Sequence, residues 1–333
     1  MKGLGIPLMR KEGGNMKPIE TVLVVGAGTM GHGFCQIFAL NGIDVTLVDK
    51  NKELLDQARG WIQDNLEYMA ELKELEGQPI RNILDRIQFK IDLNQYAKQT
   101  DFILEAVNED LELKKQIFQQ LDAAAPPNVI LASNTSSFDI NEIGEVTGHP
   151  ERVIGTHWFH PPQITPCVEI IPSEATSPDT VERTILFMDR IGKVPTICKS
   201  APGFVANRIQ LAMAAEALSI VEEGLASPEE VDRIVKTSFG FRLGAYGPLE
   251  IIDQAGADTY RAVYNYLYNK LQREQFKSPR ILDKLIEQGH YGLKTQKGFY
   301  EYKDGASDVI KRDRDRKFYA RLRLFKEEEK SKK

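Results

Sequence analysis

The apolar positions of the chain follow one period in its first part and another in its second. From Glu20 to about Cys198, short apolar runs alternate with amphipathic stretches. "TVLVVGAG" (21–28) is rich in β-branched residues and closes on glycines, the pattern of a strand buried on both faces. "MGHGFCQIFALNG" then shows helical spacing and stops at Asn41-Gly42, a C-cap signal. "IDVTLVD" reads as the next strand, and a long polar helix runs from Lys52 to about Glu76, where Gly77-Gln78-Pro79 breaks it. Further apolar runs follow at 102–107, 129–133, 152–159, 167–171 and 194–198, with helical segments such as 111–125 and 177–192 between most of them. This alternation predicts an α/β fold with an open, doubly wound sheet. After Pro202 the period becomes helical almost throughout, as in 207–224 and 227–240. Ser227-Pro228-Glu229-Glu230 opens the second of these as an N-cap followed by proline and two acids.

"VLVVGAGTMGHG" gives the first part its chemistry. Gly26, Gly28 and Gly31 stand in G-x-G-x-x-G spacing between a strand and a helix, with Thr29 and Met30 completing the loop. The first glycine permits the tight turn, the second lets a pyrophosphate approach the backbone, and the third lets helix and strand pack closely. Asp49 ends the second strand, where a carboxylate accepts hydrogen bonds from ribose hydroxyls and repels a 2′-phosphate. NAD is therefore the expected cofactor, bound by a Rossmann-type domain. The expected organisation is a flexible extension at 1–19 and an NAD-binding domain at 20–200. An all-helical domain at 201–310 and a basic tail at 311–333 follow.

Composition narrows the class without changing it. The 333 residues are 42% hydrophobic and 27% charged, with a net charge of -5, so no overall pull toward nucleic acid or anionic membrane is expected. No run approaches the ~18 apolar residues that span a bilayer. The first seventeen residues lack the apolar core of a secretory signal, and Met16 offers an alternative start. Three cysteines without C-x-x-C spacing suggest neither a disulfide framework nor a zinc module, and a cytoplasmic location is expected. The tail carries eleven basic and five acidic residues in 311–333 and reads as a frayed, solvated helix.

In sheets of this kind, ligands bind beyond the carboxyl ends of the strands. Asn108 and Glu109 follow one run; Ser133, Asn134, Thr135, Ser136 and Ser137 follow another; His157 and His160 follow a third. Asp139 and Asn141 read as helix caps. Hydride transfer from an alcohol to NAD needs a base for the hydroxyl proton, and imidazole suits that role. Glu169 lies inside the apolar "CVEII" and needs a partner if buried. If the "HPPQITP" loop folds back, that partner is His157. A metal site built from His157, His160, Glu169 and Cys167 matches no recognised pattern, and none is expected. Two histidines without chemistry remain the plain reading.

Together, "VVGAGTMGHG", "FILEAVNEDLELKKQIF", "SNTSS", "GTHWFHPP…VE", "PGFVANR", "GPLEIID" and "GLKTQKGFYEY" resemble the L-3-hydroxyacyl-CoA dehydrogenase family from Thr21 to Tyr302. The resemblance implies NAD-dependent oxidation of an L-3-hydroxyacyl substrate such as 3-hydroxybutyryl-CoA. It implies His157 as base with Glu169 as its partner, Ser136 on the substrate oxygen, and Asn207 as a site asparagine. Glu109, Lys114, Asn134 and Lys294 match cofactor contacts, and the resemblance implies that the helical domain at 201–310 takes part in substrate binding and forms a homodimer. Three departures stand out. His160 replaces an asparagine near the substrate. The 64–76 stretch has five acids and one lysine, with Leu72 where a CoA-binding lysine is expected. "FGFRLGAYGPLE" (239–250) is similar to the branch acting on free hydroxy acids, such as gulonate 3-dehydrogenase, where Arg242 would anchor a carboxylate. A dehydrogenase of a free 3-hydroxy acid, gulonate- or carnitine-like, is thus the first alternative. A non-enzymatic NAD-binding structural protein is the second.

Overall fold

The computed structural model describes residues 18–331, so the extension read at 1–19 lies almost wholly outside the described residues. Eight strands form one sheet: β1 (Thr21–Val25), β2 (Asp44–Val48), β3 (Ile87–Lys90), β4 (Phe102–Glu105), β5 (Ile130–Ser133), β6 (Val153–Trp158), β7 (Cys167–Pro172) and β8 (Val194–Ile197). Their order is β3-β2-β1-β4-β5-β6-β7-β8. The first six are parallel, as the apolar runs and intervening helices predict. β7 turns back antiparallel to β6, and β8 runs parallel to β7.

Helices α1 (Gly31–Leu40), α2 (Lys52–Glu71), α3 (Ile80–Leu84), α4 (Leu93–Ala97), α5 (Leu111–Ala124), α6 (Ile140–Gly144) and α7 (Pro178–Arg190) connect the strands. They cover both faces, because alternate strand residues feed two separate cores. Val22 and Val24 join Phe34 and Phe38 of α1, Ile62 and Leu66 of α2 and Phe187 of α7. Leu23 and Val25 join Phe118 of α5, Ile143 of α6 and Phe204. A doubly wound sheet is the arrangement that buries both sets at once.

Chain order reverses between β1 and β4, the point where such sheets open a crevice. Gly26 sits there at φ 108°, and a Cβ on it would fall 2.6 Å from the Ala106 carbonyl oxygen. A Cβ on Gly31 would fall 1.8 Å from the Gly26 oxygen, so α1 seats this tightly only with glycine.

Two compact units divide between Ala212 and Met213, within α8 (Ala206–Glu222). The second unit continues with α9 (Pro228–Thr237), α10 (Phe239–Leu243), α11 (Pro248–Ala255), α12 (Ala257–Leu271), α13 (Arg280–Glu287) and α14 (Ala306–Ser331). Ser227 and Glu230 form a capping box at the start of α9. Buried Asp253 accepts hydrogen bonds from the amides of Phe299 and Tyr300 and from the Tyr302 hydroxyl at 2.9–3.0 Å, tying the "GFYEY" segment to α11. The basic tail is helical from Ala306 to Ser331, and its Asp313 accepts from the Tyr246 hydroxyl at 3.0 Å. Among the described residues, no helix is long and apolar enough to cross a membrane.

Candidate active site

The antiparallel turn-back at β6 and β7 sets His157 directly opposite Glu169. Both are buried, at 3% and 4% exposure, and His157 Nδ1 lies 2.7 Å from Glu169 Oε2. An N–H on Nδ1 therefore points at the carboxylate and leaves Nε2 as the ring nitrogen available for chemistry. The other carboxylate oxygen accepts from the amides of Val205 and Ala206, at 3.2 and 3.0 Å, where α8 begins. Helix N-termini favour negative charge, so the fold supplies Glu169 with a second source of stabilisation. Burial works to raise its pKa. The His157 hydrogen bond, the two amides and the His157 charge outweigh burial and hold it below the usual carboxylate range. Phe159 and Phe204 flank the imidazole, with ring centroids 4.6 and 5.7 Å away.

A carboxyl with a depressed folded pKa adds stability that is complete above its unfolded value and is lost as pH falls through the folded value. Melting curves of the wild type and Glu169→Gln should therefore converge on acidification from about pH 7 to about pH 3. A constant gap would show that the charge does not stabilise the fold.

Glu109 gathers the loop after β5. Its Oε1 accepts from the Thr135 hydroxyl, the Ser136 amide and the Ser137 hydroxyl at 2.7, 2.8 and 3.0 Å. Burial raises its pKa, but these bonds and Lys114 prevail and keep it below the ordinary value. Asn207 Nδ2 donates to the Ser136 carbonyl at 3.0 Å, bringing two of the expected site residues together. Asn134 Oδ1 accepts from the Trp158 amide at 3.0 Å, joining the ends of β5 and β6.

Lys114 is 1% exposed, and its ammonium is held by Glu105 Oε1 at 2.7 Å and Glu109 Oε2 at 3.3 Å. It is tied to the site through those two carboxylates. Glu105, which the sequence reading passed over, is the centre of this network. Fully buried, it also accepts from the Ser133 hydroxyl at 2.6 Å and the Val107 amide at 2.8 Å. An acid at the end of the apolar "FILEA" carried the same signal that drew attention to Glu169.

The glycine loop fits a dinucleotide. A Cβ on Gly28 would meet nothing within 4 Å, so its backbone is open to a pyrophosphate, and Thr29 beside it is exposed. Asp49 Oδ2 accepts from the Ala27 amide at 2.9 Å and Oδ1 from Asn51 at 2.8 Å, which fixes a half-buried carboxylate beside the loop. His32, also missed, directs Nδ1 at the Gly28 carbonyl at 3.1 Å and packs on Trp61 at 5.1 Å between ring centroids. Its pKa is lowered by burial and by the neighbouring His160, against the hydrogen bond to Gly28. His160 itself is exposed. In the second unit, Arg242 and Lys294 are exposed, and Lys294 pairs with Asp258 at 2.5 Å. No cluster of three or more metal-ligating side chains occurs among the described residues.

Family models match along the chain. The 3-hydroxyacyl-CoA dehydrogenase NAD-binding domain covers residues 21–201, and the C-terminal domain of the same family covers 203–302. The chain belongs to the 3-hydroxyacyl-CoA dehydrogenase family. It is an NAD-dependent oxidoreductase. A probable 3-hydroxybutyryl-CoA dehydrogenase of Deinococcus radiodurans is 36% identical over 84% of this chain and 99% of its own length. A solved 3-hydroxyacyl-CoA dehydrogenase of Archaeoglobus fulgidus superposes with a TM-score of 0.75 at 32% identity, over 92% of this chain and 99% of its own. The 5-formyl-3-hydroxy-2-methylpyridine 4-carboxylate 5-dehydrogenase of Mesorhizobium japonicum is 29% identical over 92% of this family member and 98% of its own length.

Proposed function

We propose that the protein oxidises an L-3-hydroxyacyl thioester, of the 3-hydroxybutyryl-CoA kind, to its 3-keto product. The buried His157–Glu169 pair at 2.7 Å carries this reading. NAD, when bound, is the hydride acceptor. His157 Nε2 takes the hydroxyl proton as the carbonyl forms, and Glu169 stabilises the imidazolium and holds its orientation. Ser136 and Asn207 orient the substrate oxygen, the glycine loop with Asp49 would hold the dinucleotide, and Glu109 and Asn134 would complete its surroundings. Three free cysteines fit a cytoplasmic setting. The exposed apolar side chains of Met213, Leu218 and Val263 fit a homodimer through the helical part.

A second reading, a free 3-hydroxy acid as substrate, has specific support. Asp64, Glu67, Glu71, Glu74 and Glu76 are all exposed and none is in an ion pair among the described residues. Leu72 is 53% exposed where a lysine would serve CoA. Such a face repels a polyanion. The pyridine-carboxylate dehydrogenase of M. japonicum carries a free carboxylate in its substrate's name. His160 would shape the pocket for such a substrate.

NADH formation with 3-hydroxybutyryl-CoA, and separately with free 3-hydroxybutyrate, gulonate and carnitine, decides between the readings. Turnover of the thioester alone is the expected result. Turnover of free acids alone would overturn it.

A further inference from the structure

Lys193 lies between α7 and β8 and is 5% exposed. Among the described residues no carboxylate pairs with it, and burial alone pushes its pKa down to about 8. Its ammonium donates to the carbonyls of Pro162 and Thr165 at 2.5 and 2.8 Å and sits 5.4 Å from the centre of the Trp158 ring. A site that needed only packing would favour an apolar side chain, since an unpaired buried charge is costly.

The two carbonyls belong to the connection between β6 and β7, whose turn is closed by the amides of Ile164 and Thr165 on Pro161 O at 3.1 and 2.9 Å. The turn also rests on α1. A Cβ on Gly33 would come within 2.6 Å of Pro162 Cγ and 2.7 Å of Gln163 Oε1. His160 immediately precedes this turn, and the strands it joins carry His157 and Glu169. We infer that Lys193 is a positioning residue for hydride transfer, clamping the turn against α1 and so fixing the segment that runs from His157 to His160. The inference rests on the proposed dehydrogenase reading of His157 and Glu169.

The test compares Lys193→Met, Lys193→Gln, His160→Ala and the double variant Lys193→Met/His160→Ala, using whichever substrate the wild type oxidises. Each is assayed for kcat, KM, NADH affinity and melting temperature. Lys193→Met should lower kcat/KM by ~10–100-fold through misplacement, with NADH affinity kept. Its melting temperature should hold or rise, because the unpaired charge is gone. Lys193→Gln retains two N–H donors and should recover most of the activity. In the His160→Ala background, Lys193→Met should cost less than ~3-fold, because the imidazole that ends this segment is absent. An equal loss in both backgrounds, or a loss that follows melting temperature in Met and Gln variants alike, would overturn the inference. Should Lys193→Met not fold, Gly33→Ala pushes the same turn from the α1 side. It should repeat the activity loss and be nearly silent without His160; equal losses there overturn the inference too. His157→Ala run alongside keeps the two ideas apart, since full activity in it sinks the dyad whatever Lys193 does.

Discussion

His157→Ala should lower kcat by ~10²–10⁴-fold while NADH binding survives. The ring is buried against Phe159 and Phe204, so its loss removes packing as well as the base. Glu169 keeps the amides of Val205 and Ala206, which limits the destabilisation to ~1–3 kcal/mol, the usual cost of a lost partner for a buried polar group. Steady-state kinetics with a fluorescence titration of NADH measure both sides. His160→Ala is the internal comparison: an exposed imidazole with no fixed carboxylate should change KM more than kcat. A loss of kcat concentrated in His160→Ala, with His157→Ala nearly silent, would identify the exposed histidine as the base.

Much of this site was legible in the residue order. β-branched runs ending in glycine or polar residues located most of the strands, and the acid inside "CVEII" predicted both the fold-back and the His157–Glu169 contact. β3 escaped because its four residues, "IQFK", form a half-exposed edge strand too short for periodicity to register. Glu105 escaped for a different reason. It ends a run that looked complete as a strand, and Glu109 and Lys114 nearby drew the functional reading. Lys193 had no local signal at all. A lysine after a helix-ending glycine reads as a solvated C-terminal cation, and only the return of the β6–β7 connection buries it.

Lys114→Met should destabilise the NAD-binding unit by ~3–5 kcal/mol, because it strands the Glu105 carboxylate in the interior without a countercharge. Against a total stability of ~5–15 kcal/mol, that is about a fifth or more of what holds a domain folded. Glu105 is 0% exposed, and the Ser133 hydroxyl and Val107 amide that remain are neutral donors, unable to replace an ammonium. Glu109, with 39% of its side chain exposed, can turn to water and suffers less. Adding Glu105→Gln to Lys114→Met should restore most of the loss, since a neutral amide can still accept from the Val107 amide through its oxygen and donate to the Ser133 hydroxyl oxygen through its NH2. Denaturant melts of the wild type, both single variants and the double variant complete the cycle, and the double should be more stable than Lys114→Met alone. The opposite pattern, NADH affinity falling more than ~10-fold while melting hardly moves, would mean that Lys114 meets the cofactor directly after all. Its 1% exposure and its two carboxylate partners argue that the melting curve will move first.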